Sequence, residues 1–220
     1  MENIDEQKIV VRTSLVPRTE GHGEKTLRYY THTAELLALQ EITAHLSKHN
    51  VHLDTTHFYS DDVVSEYVVL LGSTTNTSLS GVMLGKTIES TEMTIRELGD
   101  DVKWNFFKAS AGKHSEITIK GNPHTCKHDD SQVKIDFGLI VRRTRPNGGV
   151  ILLVAGIHAY GTYAAANVAL RPDFQKFVRS QKVTSFAQLV KVEVRNGKEI
   201  SNAAINWEKK DFVVIDPLKS

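Results

Sequence analysis

The sequence holds one cysteine, Cys126, so no disulfide can form within the chain and no disulfide scaffold supports the fold. An excess of charge is also missing: 27 Lys and Arg face 26 Asp and Glu, for a formal net charge of +1, and the basic residues are spread along the chain. Nucleic acid and anionic membranes attract basic stripes, and without one neither partner is expected. No apolar run approaches the roughly 20 residues of a membrane-spanning helix; the longest is "GGVILLVAGI". The opening "MENIDEQKIVV" has neither the basic start nor the apolar stretch of a secretory signal, so the cytoplasm is the expected location. No repeat, low-complexity tract or linker interrupts the chain. Its 220 residues, 40% of them hydrophobic, suit one α/β domain over 1–220 with a substantial core.

What is present reads as alternating strands and helices. "KIVVRTSLV" (8–16) is β-branched and ends at Pro17, which predicts a strand leading into a loop over 17–31. Leu36, Leu37, Leu39, Ile42 and Leu46 recur near helical spacing and predict a helix over about 32–49. "VHLDTTHFY" (51–59) reads as a second strand. "YVVLL" (67–71) has no polar alternate position, as expected of a central parallel strand buried on both faces, and a helix carrying Leu79, Val82 and Met83 should follow it.

The stretch from about 100 to 145 changes to short β-type runs and predicts antiparallel hairpins, ending in the turn "RPNGG". "VILLVAGI" (150–157) is a second central strand. After it, "HAYGTYAAANVAL" should form a helix that Gly161 and Thr162 turn and cap, stopping near Pro172. "PDFQKFVRS" reads as a short helix, "FAQLVKVEVRNGKEI" as a strand and hairpin, and "FVVID" (212–216) as a last strand. The fold class expected from this order is α/β: a Rossmann-like three-layer sandwich with a mostly parallel central sheet plus antiparallel hairpin additions.

In such a sheet, loops at the carboxyl ends of parallel strands line the ligand crevice. Three loops qualify: 17–31, 72–78 ("GSTTNTS") and 157–162 ("IHAYGT"), each with Gly and hydrogen-bonding residues. Backbone N–H groups at a helix start carry partial positive charge and attract phosphate or carboxylate. The expected ligand is therefore nucleotide-type or otherwise phosphorylated, met by Gly72, Ser73, Thr74, Asn76, Thr77, Gly156, His158, Gly161 and Thr162. Arg18 or Arg28 would add a charge-assisted contact from the first loop. Each feature also has an ordinary explanation, since Gly with Ser or Thr after a strand is common turn and cap chemistry, and neither the dinucleotide fingerprint nor the Walker pattern is present.

Four further features carry the same two kinds of reading. His158 follows a buried strand and could touch a ligand, though a lone loop His is commonly structural. Asp136 lies in the strand-like "KIDFGLI" and either faces the crevice or accepts hydrogen bonds in the core. "HTCKHDD" (124–130) invites a zinc reading, but its spacing matches no standard site; a solvated turn after Asn122-Pro123 accounts for it, and no metal is expected. "RRTR" (142–145) reads as a solvated basic loop, with a phosphate contact as the other possibility.

"LLGSTTNTS" and "DFGLIVRRTRPNGGVILLVAGIHAYGTYAAA" together resemble an uncharacterised bacterial α/β family of Rossmann-like modules in signalling or defence-type proteins. That family has a Gly-Gly-x-x-Asn loop, an Asp-Tyr-Gly-type strand and an "AGIHGYGT"-like turn. Ser73 and Ala159 stand where it has Gly. The resemblance implies that Gly72, Asn76, Asp136, Gly138, Gly156, His158, Gly161 and Thr162 face a ligand, and implies no catalytic residue. The leading expectation is a small-ligand sensing module. The alternatives are a nucleotide-directed hydrolase or glycohydrolase using Asp136, Glu35 or His158, and a protein-interaction module or homo-oligomer with no small ligand. No cofactor is assigned.

Overall fold

Two apolar runs set the centre of the molecule, and each side of each run is buried against a different layer. In a computed structural model, residues 8–13, 16–19, 27–30, 33–47, 50–54, 67–72, 86–89, 93–107, 115–129, 132–146, 148–194 and 203–217 are described. In chain order the elements are β1 (Lys8–Thr13), β2 (Val16–Thr19), β3 (Leu27–Tyr30), α1 (Thr33–His45), β4 (Asn50–Asp54), β5 (Tyr67–Leu71), β6 (Lys86–Glu89), β7 (Met93–Glu97), β8 (Val102–Phe107), β9 (Glu116–Ile119), β10 (Asn122–Thr125), β11 (Lys127–Asp129), β12 (Gln132–Thr144), β13 (Val150–Gly156), α2 (Ala159–Leu170), α3 (Pro172–Gln181), β14 (Phe186–Glu193) and β15 (Ala204–Val214).

The largest sheet has eight strands in the order β15-β14-β12-β13-β5-β1-β4, with β11 added beside β12. Its β4-β1-β5-β13 half is parallel, and the "YVVLL" and "VILLVAG" strands are direct neighbours, with Leu71 opposite Val154. Its β13-β12-β14-β15 half is antiparallel. The "RPNGG" turn is the cause of the change. Gly148 N–H donates to the Arg145 carbonyl and Arg145 N–H to the Gly149 carbonyl, so β12 returns as β13 through a hairpin and no crossover helix intervenes.

The expected Rossmann-like three-layer sandwich is therefore corrected in two respects. The central sheet is mixed, not mostly parallel, and among the described residues helices cover only one of its faces. On that face Ala38 and Ile42 of α1, Ala164, Ala165 and Val168 of α2 and Phe174 of α3 meet Val69, Leu71, Ile140 and Val154. The alternate residues Val68, Leu70, Leu139, Val141, Ile151 and Leu153 point the other way, against Val102, Trp104, Ile117 and Ile119. These four belong to β8 and β9 of a five-stranded antiparallel sheet, β10-β9-β8-β7-β6. The layers run helix, mixed sheet, antiparallel sheet, and strands outweigh helices among the described residues. What the sequence presented as hairpin additions is a whole layer, because every strand buried on two faces needs a cover on each.

Several local expectations also shift. The loop foreseen over 17–31 contains the hairpin β2–β3, which includes Pro17. "HTCKHDD" is not a solvated turn: His124 and His128 lie in β10 and β11, and the chain leaves the five-stranded sheet for the large one at Cys126. The turn is one step earlier, at Lys120-Gly121, where φ values of 49° and 78° close a tight two-residue hairpin. "RRT" of the basic run belongs to β12. The helix expected after Ser78 lies outside the described residues. No described helix is long and apolar enough to cross a membrane.

Candidate functional site

The site grows from one contact between strand and helix. Gly138 of β12 pairs with Gly156 of β13, and the first turn of α2 lies directly on that pair. A Cβ on Gly138 would fall 2.1 Å from the Gly161 carbonyl oxygen, one on Gly156 2.2 Å from the Thr162 nitrogen, and one on Gly161 2.1 Å from the Phe137 carbonyl oxygen. No side chain fits at any of the three. Their bare faces admit one another's backbone, so the helix start is held on the sheet at a distance only glycine allows.

Asp136 fastens this contact. Its side chain is wholly buried on the helix-covered face of β12. One carboxylate oxygen, Oδ1, accepts from Phe137 N–H at 2.8 Å, His158 N–H at 3.2 Å and the Cys126 thiol at 2.7 Å. The other, Oδ2, accepts from Gly161 N–H at 2.6 Å. His158 is the residue preceding α2, yet its own side chain makes no capping bond. The expectation that Gly161 and Thr162 cap this helix is therefore corrected: the helix begins at Ala159, and the cap is a carboxylate reaching in from the neighbouring strand.

Burial raises the Asp136 carboxyl above its ordinary value, while the Cys126 thiol, the Gly161 N–H and the charge of His158 pull it back. The Cys126 thiol is pushed far up, first by burial and then by the Asp136 charge, so it stays a neutral donor. Cys126 is consequently a poor nucleophile, and Asp136 already spends both oxygens on four protein donors.

Two more histidines come close. The His128 ring meets the His158 ring edge-on, with centroids 5.4 Å apart, which joins "HTCKHDD" to "GIHAYGT" across strands far apart in sequence. His124 packs its ring on Phe137 at 5.1 Å, and burial lowers its pKa. His124 and Cys126 are half-buried between exposed Pro123, Thr125 and Lys127, a period of two that marks a strand. Among the described residues no group of three or more His, Cys, Asp or Glu is arranged to hold a metal ion.

At the carboxyl edge of the parallel strands, Gly72 adopts φ 107° and donates its N–H to the Val154 carbonyl at 3.1 Å, so β5 and β13 end side by side. Gly156, His158, Gly161 and Thr162 thus stand together at the start of α2, beside the end of β5 at Gly72 and over Asp136; all but His158 are buried. The Thr162 hydroxyl oxygen there is buried and makes no hydrogen bond. Ser73, Thr74, Asn76 and Thr77 lie outside the described residues. Arg18 is not in a loop but in β2, opposite Arg28 of β3. Glu35 falls in α1.

A groove of about 370 Å³ that sequence reasoning missed runs between β10, β14 and β15, floored by Phe137 and Leu189. Two of its three lysines are partly neutralised within the protein, Lys210 by Glu208 at 2.7 Å and Lys191 by Glu193. No protein-family model, curated protein or solved structure matches the chain.

Proposed function

We propose that the chain is a small-ligand binding module, with a nucleotide-type molecule as its ligand class, and that the ligand is met at the rim formed by Gly72, His158 and Thr162. The observation that carries this reading is the buried Thr162 hydroxyl, which has no hydrogen-bond partner in a rim otherwise fixed down to the backbone. A buried polar group without a partner costs about 1–3 kcal/mol, and a ligand that bonds to it would recover that cost. The rim is also pre-organised: a buried carboxylate and three interlocked glycines set the turn after β13 before anything binds.

Asp136 changes how an anion would be received. Its carboxylate already occupies the N–H groups of His158 and Gly161, so a phosphate at this helix start would meet negative charge as well as the helix dipole. The heterocycle or sugar edge of the ligand is accordingly assigned to Thr162 and His158. Binding is favoured over hydrolysis because the Asp136 carboxylate is wholly buried and engaged by four protein donors, and the nearby thiol is held neutral.

The test is thermal denaturation with a panel of nucleosides, nucleotides and dinucleotides. A ligand at a hundredfold excess over its dissociation constant adds about 2.7 kcal/mol. That rise should shrink in Thr162→Val, which keeps the shape and loses the hydroxyl. A panel with no shift, together with no small molecule co-purifying with the native protein, would remove the reading.

A further inference from the structure

Arg142 is a half-buried cation with no carboxylate to answer it among the described residues. It lies on the helix-covered face of β12, between Leu152 of β13 and Phe186 of β14 in register. Its guanidinium donates to the Thr184 carbonyl. Burial pushes its pKa down, opposed by the Tyr67 phenol. Among the described residues no Asp or Glu forms an ion pair with it. Arg143, next along the strand and on the opposite face, differs in having the charge of Asp216 beside it. A cation drawn into a poorly solvated place without a counter-ion is costly, and an anion brought to it would relieve that cost.

Arg142 also borders a cavity. Between β12, β13 and α3 lies a pocket of about 240 Å³ that opens to solvent on one side, walled by Ile140, Leu152, Phe174, Val178 and Phe186. Its polar groups come from Gln175, Arg142 and Arg179, and none is acidic. Gln175 is committed to the end of α2, with its amide on the Ala169 and Leu170 carbonyls. Arg179, one turn further along α3, is exposed and donates to the Gln175 amide oxygen at 3.4 Å. An apolar chamber bordered by two arginines fits a compact apolar body ending in a carboxylate that reaches the chamber's edge. The volume falls below the roughly 300–1,000 Å³ of pockets for drug-sized ligands, so the body is one ring or a short chain.

We infer that the pocket between α3 and the central sheet is a second binding site, for a small aromatic or short-chain carboxylic acid whose carboxylate is held by Arg142 and Arg179. It is separate from the rim described above. Arg142 is four residues along β12 from Gly138, roughly 14 Å at the rise of a strand, so either site can fail without the other.

The experiment is calorimetric titration of the full chain with benzoate and with benzamide, which has nearly the same shape and no charge. Benzoate should bind saturably and benzamide roughly tenfold more weakly or worse, the difference expected when a charge-assisted hydrogen bond is lost. Arg142→Met, which keeps the aliphatic stem, should weaken benzoate by a similar factor and leave benzamide unchanged. Arg179→Met should weaken benzoate by less. Absence of saturable benzoate binding, equal binding of benzamide, or full benzoate affinity in folded Arg142→Met would overturn the site. If Arg142→Met does not fold, the comparison of benzoate with benzamide on the native chain decides the matter alone.

Discussion

Asp136 is the residue on which most of the local geometry depends, because four donors from three parts of the chain end on its two oxygens. An amide cannot replace it, since either orientation of Asn turns an NH2 group toward an N–H or S–H that needs an acceptor. Asp136→Asn should cost about 3 kcal/mol, read as a lower urea midpoint. Cys126→Ser keeps a donor and should stay within about 1 kcal/mol of the native chain. In the native protein the Cys126 thiol should react with a disulfide reagent far more slowly than in urea, since burial and the Asp136 charge hold it protonated; equal rates would show that the thiol is not in this contact. "KIDFGLI" left Asp136 open between crevice and core. An acidic residue in an apolar strand announces that it needs partners, but those partners are a thiol 10 residues earlier and a backbone N–H 25 residues later, which local pattern cannot supply.

The contact between α2 and the β12–β13 pair shows why the glycines were legible and their purpose was not. Gly138, Gly156 and Gly161 stand out in the sequence as positions where a side chain is unwanted, which is equally true of a ligand-facing turn and of a helix laid flat on a sheet. The distances decide for the second: each missing Cβ would strike backbone at 2.2 Å or less. Gly161→Ala or Gly138→Ala should therefore lift the helix and cost about 3 kcal/mol or more, measured by thermal unfolding. A gain in stability, as for Gly→Ala in an open helix, would contradict the packing. In β10, His124 gives the element a pH dependence. Burial holds its pKa below 6.5, opposed by the charge of Asp211. The neutral ring belongs to the folded state, so its contribution is present above pH 6.5 and is lost as pH falls through the lowered value. His124→Phe keeps a ring against Phe137 and should flatten the loss of stability below pH 6.5; an unchanged slope would place the titration elsewhere.

At the scale of the whole molecule, the two fully apolar strands are central, as their sequence implies, and lie side by side, which brings Gly72 close to the turn that carries His158. The inference that helices would cover both faces failed. "YVVLL" and "VILLVAG" require only that each face be covered, and they do not say by what. The short alternating strands between residues 86 and 125 supply one cover, and the "RPNGG" hairpin turns half of the central sheet antiparallel. The candidate rim survives this change because it depends on two neighbouring strands and not on the full sheet. The most direct measurement of the central claim is a titration of the isotope-labelled chain with the best nucleotide of the panel, followed by backbone amide NMR. Saturable shifts should be largest at Gly72, His158 and Thr162 and small along β14 and β15. Shifts confined to β14 and β15, or none at saturating nucleotide, would contradict the account.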